Sequence, residues 1–144
     1  MENIIYNELR YRGYRVDVGV VESREKDKDG KEIRKQLEID FVANQGSKRY
    51  YIQSAYDIPD NAKWEQETRS FDKTNDSFKK IVIVERSMKP RRDDKGYVTM
   101  GVKEFLLTDK SLELLVINIK ITLFQIGTRS VVMADVGLAT RKGC

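Results

Sequence analysis

The residues that could do chemistry in this chain are carboxylates, lysines, hydroxyls and amides. Histidine is absent, and the one cysteine is the terminal Cys144. The sequence therefore excludes Ser-His-Asp and Cys-His triads, histidine zinc sites and an internal disulfide. A site would have to be built from acidic and polar side chains, with or without a hard metal ion.

Glu8 is one candidate, because it lies on the apolar side of a predicted helix. The spacing of Ile4, Ile5 and Leu9 predicts a helix from about Glu2 to Arg12. Glu8 follows Ile4 by four residues and Ile5 by three, so it projects from the same side. The alternative is a glutamate at the edge of the apolar stripe that reaches to water.

Asp40 and Gln53 are the other candidates, and each lies in a segment of alternating apolar residues that predicts a strand. The short turn between the two strands implies an antiparallel hairpin. If the turn centres on Gln45 and Gly46, Asp40 lies nearly opposite Tyr51 and Gln53 is a diagonal neighbour. We therefore expect the two polar side chains to approach each other.

The elements that must position these residues form an α/β domain, a mixed β-sheet with flanking helices. Strand patterns lie at about 14–20, 36–43, 48–56, 81–84 and 97–102, and helical patterns at about 60–73 and 103–107. In the second strand, Ile39 and Phe41 are predicted to face away from Asp40. The segment 81–84 is apolar on both faces, which predicts a central strand that joins the sheet in parallel.

Two further patterns have simple structural interpretations. From Glu22 to Gln36 the chain is mostly ionic with balanced charge, and Asp29-Gly30 at its middle predicts a solvated hairpin tip. Trp64 shares the inward face of the 60–73 helix, which favours a structural role over ligand stacking.

Composition shifts near residue 111, so we expect a domain over 1–111 and a tail over 112–144. Charged residues become sparse in the tail, which forms extra strands (at about 117–123 and 131–133) or is non-native sequence. Its apolar run is interrupted by polar residues and is too short for a membrane span. Exposed strands there could pair with another copy, giving a homo-oligomer. The opening residues lack a signal-peptide pattern, and disulfide-free usage favours the cytoplasm.

Basic residues cluster between 86 and 95. The net charge of +4 is a small difference between 27 basic and 23 acidic residues, so it does not by itself argue for nucleic acid. The loop nevertheless carries Arg86, Lys89, Arg91 and Arg92, which could contact DNA phosphates. The alternative is that this loop only confers solubility.

The helical Glu8, the strand residue Asp40 and Gln53 on the next strand, in the order helix, strand, strand, strand, helix, strand, resemble the restriction-endonuclease-like nuclease superfamily. In that superfamily a helical Glu, a strand Asp and a Glu-x-Lys on the following strand gather Mg²⁺ at one sheet edge. The resemblance implies Glu8 and Asp40 as metal ligands, with the metal activating water and stabilising phosphate charge.

A narrower resemblance covers about residues 2–110. The residues that carry it are Glu2-Asn3-Ile4-Ile5-Tyr6-Asn7-Glu8-Leu9, Arg12-Gly13-Tyr14, Val18-Gly19, Glu38-Ile39-Asp40-Phe41-Val42 and Tyr51-Ile52-Gln53-Ser54-Ala55-Tyr56, continuing through Lys80 to Val84 and Gly101 to Leu107. They resemble the C-terminal domain, of unassigned function, in a prokaryotic family of AAA-type ATPases. It implies that an ATPase module of the same longer protein is the partner of this domain.

Two departures from the superfamily pattern imply a degenerate site. An active nuclease would carry Glu at position 53 and Lys at position 55, where this chain has Gln53 and Ala55. The site thereby loses one negative charge and one ammonium, although Lys63 or Lys48 could substitute. The resemblance implies a nucleic-acid- or partner-recognition module of the ATPase. The alternatives are an active Mg²⁺-dependent nuclease and a pure protein-interaction or self-association domain.

Overall fold

Helices and strands follow one another in the order that the sequence patterns predict. The computed structural model describes residues 1–114, 122–126 and 129–133. Its helices are α1 (Glu2–Tyr11), α2 (Asn61–Thr68) and α3 (Val102–Leu107), and its strands are β1 (Arg15–Lys26), β2 (Glu32–Gln45), β3 (Lys48–Ala55), β4 (Lys79–Val84), β5 (Arg91–Arg92), β6 (Val98–Gly101), β7 (Thr122–Ile126) and β8 (Arg129–Met133). Short 3₁₀ turns lie at Phe71–Lys73 and Ser111–Glu113.

Six strands form one mixed sheet in the order β1-β2-β3-β4-β6-β5. The first three strands are antiparallel neighbours, β4 runs parallel to both β3 and β6, and β5 is antiparallel to β6. β4 lies in the middle and is buried on both faces, as its uninterrupted apolar sequence predicts. The predicted α/β class, with a mixed sheet and flanking helices, is confirmed.

Each face of the sheet has its own hydrophobic core. Ile5 and Leu9 of α1 pack with Phe105 of α3 against one face. On the other face, Phe71 of the first 3₁₀ turn packs against Tyr51, and α2 lies at the edge of this core. α1 and α2 therefore cover opposite faces, and this arrangement decides which of their side chains can reach a given strand residue.

The charged segment after β1 is mostly strand rather than loop. β1 and β2 pair without a break from Gly19–Ile39 to Lys26–Glu32, so the predicted long hairpin tip shrinks to a turn over 27–31. The Asp27 carboxylate accepts hydrogen bonds from the backbone N–H groups of Asp29 (2.9 Å) and Lys31 (2.8 Å). Glu25 pairs with Arg69, which ties this hairpin arm to the end of α2.

α2 begins where the sequence predicts and ends earlier. Asp60 is the N-cap, and its carboxylate accepts from the backbone N–H of Lys63 at 2.8 Å. The helix ends at Thr68, and a separate 3₁₀ turn carries Phe71. Thr68 and Phe71 are buried as predicted, whereas Trp64 is only partly buried against the core.

The first sheet and its core extend slightly beyond the composition shift. Leu112 is buried in the α1-side core, and Lys79 Nζ donates to the carbonyl oxygens of Leu112 (2.7 Å) and Leu114 (2.5 Å). Beyond them, β7 and β8 form an antiparallel two-stranded sheet. The predicted strand at 131–133 is confirmed, and the one at 117–123 lies mainly outside the described residues. No helix in the described part of the chain is long and apolar enough to cross a membrane.

Candidate functional site

Asp40 lies at a β-bulge in β2. Asp17 pairs with Val42 and Gly19 pairs with Ile39, so one residue of β1 faces two residues of β2, Asp40 and Phe41. Bulges bend a strand and change the direction of its side chains. Ile39 accordingly packs in the α2-side core and Phe41 in the α1-side core. The prediction that these two residues share a face is wrong, because the extra residue breaks the alternation.

Glycine at position 19 allows the two strands to come close at this bulge. A Cβ there would lie 2.8 Å from Val42 Cγ2 and 3.0 Å from Ile39 Cβ. Any larger residue would push β1 away from the bulged segment. The local sequence thus fixes the bulge that orients Asp40.

Asp40, Gln53 and Ser54 form a reciprocal clamp where β2 and β3 diverge. The last backbone pair is Phe41 with Ile52. Beyond it, the Asp40 N–H donates to Gln53 Oε1 at 2.7 Å, and the Ser54 N–H donates to Asp40 Oδ2 at 2.7 Å. The Gln53 side chain thus reaches the backbone of Asp40, and the approach of the two side chains stays a prediction. The register differs by two residues, since Val42 rather than Asp40 lies opposite Tyr51.

Glu8 is occupied elsewhere. Its carboxylate accepts from Arg12 Nε at 2.7 Å, and the Arg12 side chain is only 8% exposed. Arg12 also donates to the carbonyl of Phe105 (2.6 Å), to Ser111 Oγ (2.8 Å) and to the carbonyl of Asp109 (3.1 Å). Glu8 therefore orients an arginine that joins α1 to the chain after α3. Its role as the helical acid and metal ligand of the site stays a prediction.

The carboxylates whose charges raise the pKa of Asp40 do not include Glu8. Burial raises the pKa of Asp40, the Ser54 hydrogen bond opposes this, and the charges of Glu2, Glu67 and Glu38 raise the pKa further. Glu2 lies on α1 three residues before Ile5, whereas Glu8 lies three residues after it. Spacing from the apolar stripe could not distinguish the two glutamates, so the sequence interpretation missed Glu2.

A lysine accompanies this acidic group. Lys63 Nζ lies 2.6 Å from Glu67 Oε1, and Glu67 is only 18% exposed. The charge of Glu67 contributes to the raised pKa of Asp40, and the suggested substitution by Lys63 stays a prediction. Lys48 pairs instead with Glu113 at 2.7 Å, at the opposite end of β3 from Gln53.

The donor set does not fit Mg²⁺. Within residues 1–114, no group of three or more acidic or cysteine side chains converges as a metal site. The Gln53 oxygen and one Asp40 oxygen already accept backbone hydrogen bonds, and Glu8 is paired with Arg12. The clamp is thus able to fix the end of the hairpin, and the described residues do not form the three-oxygen cradle that hard cations need.

The four predicted nucleic-acid contacts are exposed, and three of them line one of two clefts. Lys89 is exposed, and Arg86 is half exposed, with its Nε 3.7 Å from an Asp57 carboxylate oxygen. Arg91 and Arg92 are neighbours in β5, so their side chains leave on opposite sides. Arg91 lines a cleft with Trp64 and Arg86. Arg92 lines another, which includes Lys79, Lys80 and Lys95.

Glu104 of α3 holds the start of the basic loop. Its carboxylate accepts from the Ser87 hydroxyl at 2.6 Å and from the Met88 N–H at 3.1 Å. The Ser87 hydrogen bond is the main reason that the pKa of Glu104 is lowered. The Gly101 N–H donates to the Met88 carbonyl at 2.9 Å. Arg86 therefore follows β4 in a loop whose path is fixed at the carboxyl ends of β4 and β6.

Comparison with known proteins gives one relative. An uncharacterized protein of Haemophilus influenzae (strain Rd) is 34% identical over 107 residues, which is 74% of this chain and 22% of that protein. The chain therefore spans about a fifth of the length of this relative. No protein-family model matches the chain, and no solved structure matches it.

Asp40→Asn is expected to gain stability relative to the wild type as pH rises. The folded-state pKa of Asp40 is raised, so its favourable contribution is present below the unfolded pKa and is lost as pH rises through the folded pKa. Asparagine does not titrate and can still accept from Ser54. Urea denaturation from about pH 3.5 to 7 should show a difference in unfolding free energy that grows with pH and then levels off.

Asp72→Asn is the matched control with the opposite sign. Burial acts to raise the pKa of Asp72, but hydrogen bonds from Tyr97 and Lys95 lower this pKa overall. Its stabilising contribution is present above the unfolded pKa and is lost as pH falls through the folded pKa, so this variant should lose stability relative to the wild type as pH rises. Parallel trends in the two variants would contradict a raised pKa at Asp40.

Proposed function

We propose that this domain is a restriction-endonuclease-like module that binds nucleic acid without cutting it. The observation that carries the proposal is that one end of the sheet lacks a metal cradle among the described residues but has an arginine-lined cleft. Beside the carboxyl end of β3, Asp40 and Gln53 are engaged in a backbone clamp rather than a metal cradle. Beyond the carboxyl ends of the same parallel strands, exposed guanidinium groups line a cleft.

The topology supports the proposed kinship. A helix, an antiparallel three-stranded meander, a second helix and a central parallel strand follow in the order expected for this superfamily. The Asp lies at the point where the second and third strands separate, and the polar residue on the next strand contacts it. Ligands of open α/β sheets bind outside the carboxyl ends of the strands, where this cleft lies.

The charge distribution supports nucleic acid as the ligand. Phosphate contacts by Arg and Lys supply most non-specific affinity and make it depend on salt. Arg86 has only a loose, half-exposed partner in Asp57, and such pairs contribute little. Its guanidinium can therefore exchange that carboxylate for a phosphate. The loop after Arg86 is held by Glu104, so the path of its backbone does not need to be ordered on binding.

The ATPase module of the same longer protein is the proposed partner. The Haemophilus influenzae relative supports this arrangement, since the chain spans only 22% of its length and leaves room for further domains. Recognition by this domain would deliver nucleic acid to the ATPase. Self-association through 112–144 stays a prediction, because most of the tail lies outside the described residues.

Charge reversal in the cleft tests the proposal. The double variant Arg86→Glu/Arg91→Glu is expected to weaken binding of a fluorescent oligonucleotide by about tenfold or more in low salt. The plot of log affinity against log salt concentration should become less steep, by the amount expected for the loss of about two phosphate contacts. The matched control is Lys28→Glu/Lys35→Glu, since both lysines are exposed on the β1–β2 hairpin. Equal weakening by both double variants would show that only net charge matters.

A cleavage assay tests the absence of cutting. Wild-type protein with Mg²⁺ or Mn²⁺ is expected to leave single-stranded and duplex DNA and RNA intact. Cleavage that disappears in both Asp40→Ala and Lys63→Ala would contradict the proposal and establish the active-nuclease alternative, with Lys63 in the place of the missing lysine.

A further inference from the structure

The cleft that Arg86 and Arg91 share also contains the chain's single tryptophan. It has a volume of about 510 Å³ and lies between the amino end of α2 and the strands β5 and β6. Trp64 is partly buried, packs against the α2-side core and lines the cleft. The volume is within the range of pockets that hold small organic ligands, so a nucleotide-sized group can enter.

The backbone of Trp64 is held within α2, and its side chain packs against the α2-side core. Asp60 caps the helix one turn before it. One turn after it, the Thr68 hydroxyl donates to the Trp64 carbonyl at 2.9 Å, and Thr68 is fully buried. Both bonds act on the backbone, so the helix fixes the position of residue 64, and packing against the core limits the freedom of its ring.

The charged residues that line the cleft are two aspartates and two arginines, and both aspartate carboxylates accept backbone hydrogen bonds. Asp60 is occupied as the helix cap. Asp93 accepts from the Tyr97 N–H at 2.7 Å and closes the turn between β5 and β6. The other charged groups that line the cleft are the guanidinium groups of Arg86 and Arg91. An aromatic face beside two arginines matches the chemistry of one nucleotide, a base with its adjoining phosphates.

We propose that this cleft takes one unpaired nucleotide of a single strand, with its base stacked on Trp64 and its phosphates on Arg86 and Arg91. The inference rests on the proposed nucleic-acid function and specifies the substrate class. Bases in a duplex are stacked on each other, so Trp64 can reach a base face only at an unpaired or displaced nucleotide. Stacking on an aromatic side chain tolerates any base, so the cleft would select strand state rather than sequence.

The fluorescence of Trp64 tests this directly, because the chain contains no other tryptophan. Oligothymidylate, a duplex of the same length and thymidine monophosphate are titrated into the full chain. We expect saturable quenching by oligothymidylate, with an affinity about tenfold or more above those of the other two probes. Arg86→Glu/Arg91→Glu should raise the concentration needed for half-quenching about tenfold, and Lys28→Glu/Lys35→Glu should leave it unchanged.

Trp64→Leu separates stacking from charge. The preference for oligothymidylate over duplex, followed by anisotropy, should disappear while duplex affinity stays the same, and Trp64→Phe should retain much of the preference. Duplex binding as tight as single-strand binding, without quenching, would overturn the cleft assignment and leave the proposed function intact. Quenching by the monophosphate at equal affinity would reassign the cleft to free nucleotides. Absence of binding to any nucleic acid would overturn both proposals.

Discussion

Arg12→Ala is expected to lower the free energy of unfolding by about 3 kcal/mol. The guanidinium is 8% exposed and donates to the Glu8 carboxylate, two carbonyl oxygens and the Ser111 hydroxyl. It also lies over the ring of Phe105, 4.6 Å from the centroid. Truncation removes all of these contacts at once and leaves the acceptors that Arg12 satisfied without their donor. Urea denaturation at neutral pH measures the loss.

Arg10→Ala and Glu8→Gln are the matched controls. Arg10 lies on the same helix, is exposed and makes one long hydrogen bond of 3.3 Å to the Tyr14 carbonyl, so its removal should cost about 0.5 kcal/mol or less. Glu8→Gln keeps an acceptor for Arg12 and should cost about 1 kcal/mol. If Arg12→Ala were as mild as Arg10→Ala, Arg12 would not join α1 to the chain after α3.

Local sequence was sufficient to predict the elements that position the site. The apolar stripe of α1, the turn before β3 and the doubly buried β4 each depend on periodicity within about ten residues, and the structure places them as expected. The start of α2 near residue 60 was also predicted correctly, because the Asp60 side chain that begins the helix acts on its own backbone. Features of this kind need no knowledge of distant partners.

The site itself could not be predicted fully, because its geometry depends on an interruption of the alternation. Sequence alternation continues through β2, whereas the bulge at Asp40 and Phe41 reverses which face each later residue occupies. The one local signal was Gly19 on the partner strand, whose missing Cβ allows close contact. The choice between Glu2 and Glu8 likewise depended on Arg12, whose other partners lie more than ninety residues away.

The same bulge explains why Asp40 is compatible with two roles. Its carboxylate terminates the β2–β3 ladder by accepting from Ser54, as a purely structural residue would. Its pKa is nevertheless raised by burial and by neighbouring carboxylates, which makes it a costly way to end a ladder. Perturbed carboxyl groups of this kind are concentrated at functional sites. The raised pKa of Asp40 therefore supports the proposal that the clamp derives from a metal site and now fixes the hairpin.

Gly101→Ala is expected to cost about 3 kcal/mol in unfolding free energy and to weaken nucleic-acid binding about tenfold. Gly101 has an ordinary φ of −73°, so the cost is steric. A Cβ would lie 2.5 Å from the Arg86 carbonyl oxygen and 2.6 Å from the Met88 nitrogen. Both are backbone atoms of the basic loop, so the loop must move away from α3 and take Arg86 with it. Urea denaturation and the quenching of Trp64 by oligothymidylate measure the two effects.

Gly30→Ala distinguishes this steric effect from the general cost of replacing a glycine. Gly30 has a φ of +77° and no atom within 4 Å of the added Cβ, so alanine there should cost about 1 kcal/mol through backbone conformation alone. Gly30 lies in the turn of the β1–β2 hairpin, so its replacement should alter neither the cleft nor nucleic-acid binding. If Gly101→Ala cost no more than Gly30→Ala, the loop would be free to shift without loss. The inference that the loop holds Arg86 in a fixed position, which the proposed recognition in the cleft requires, would then be wrong.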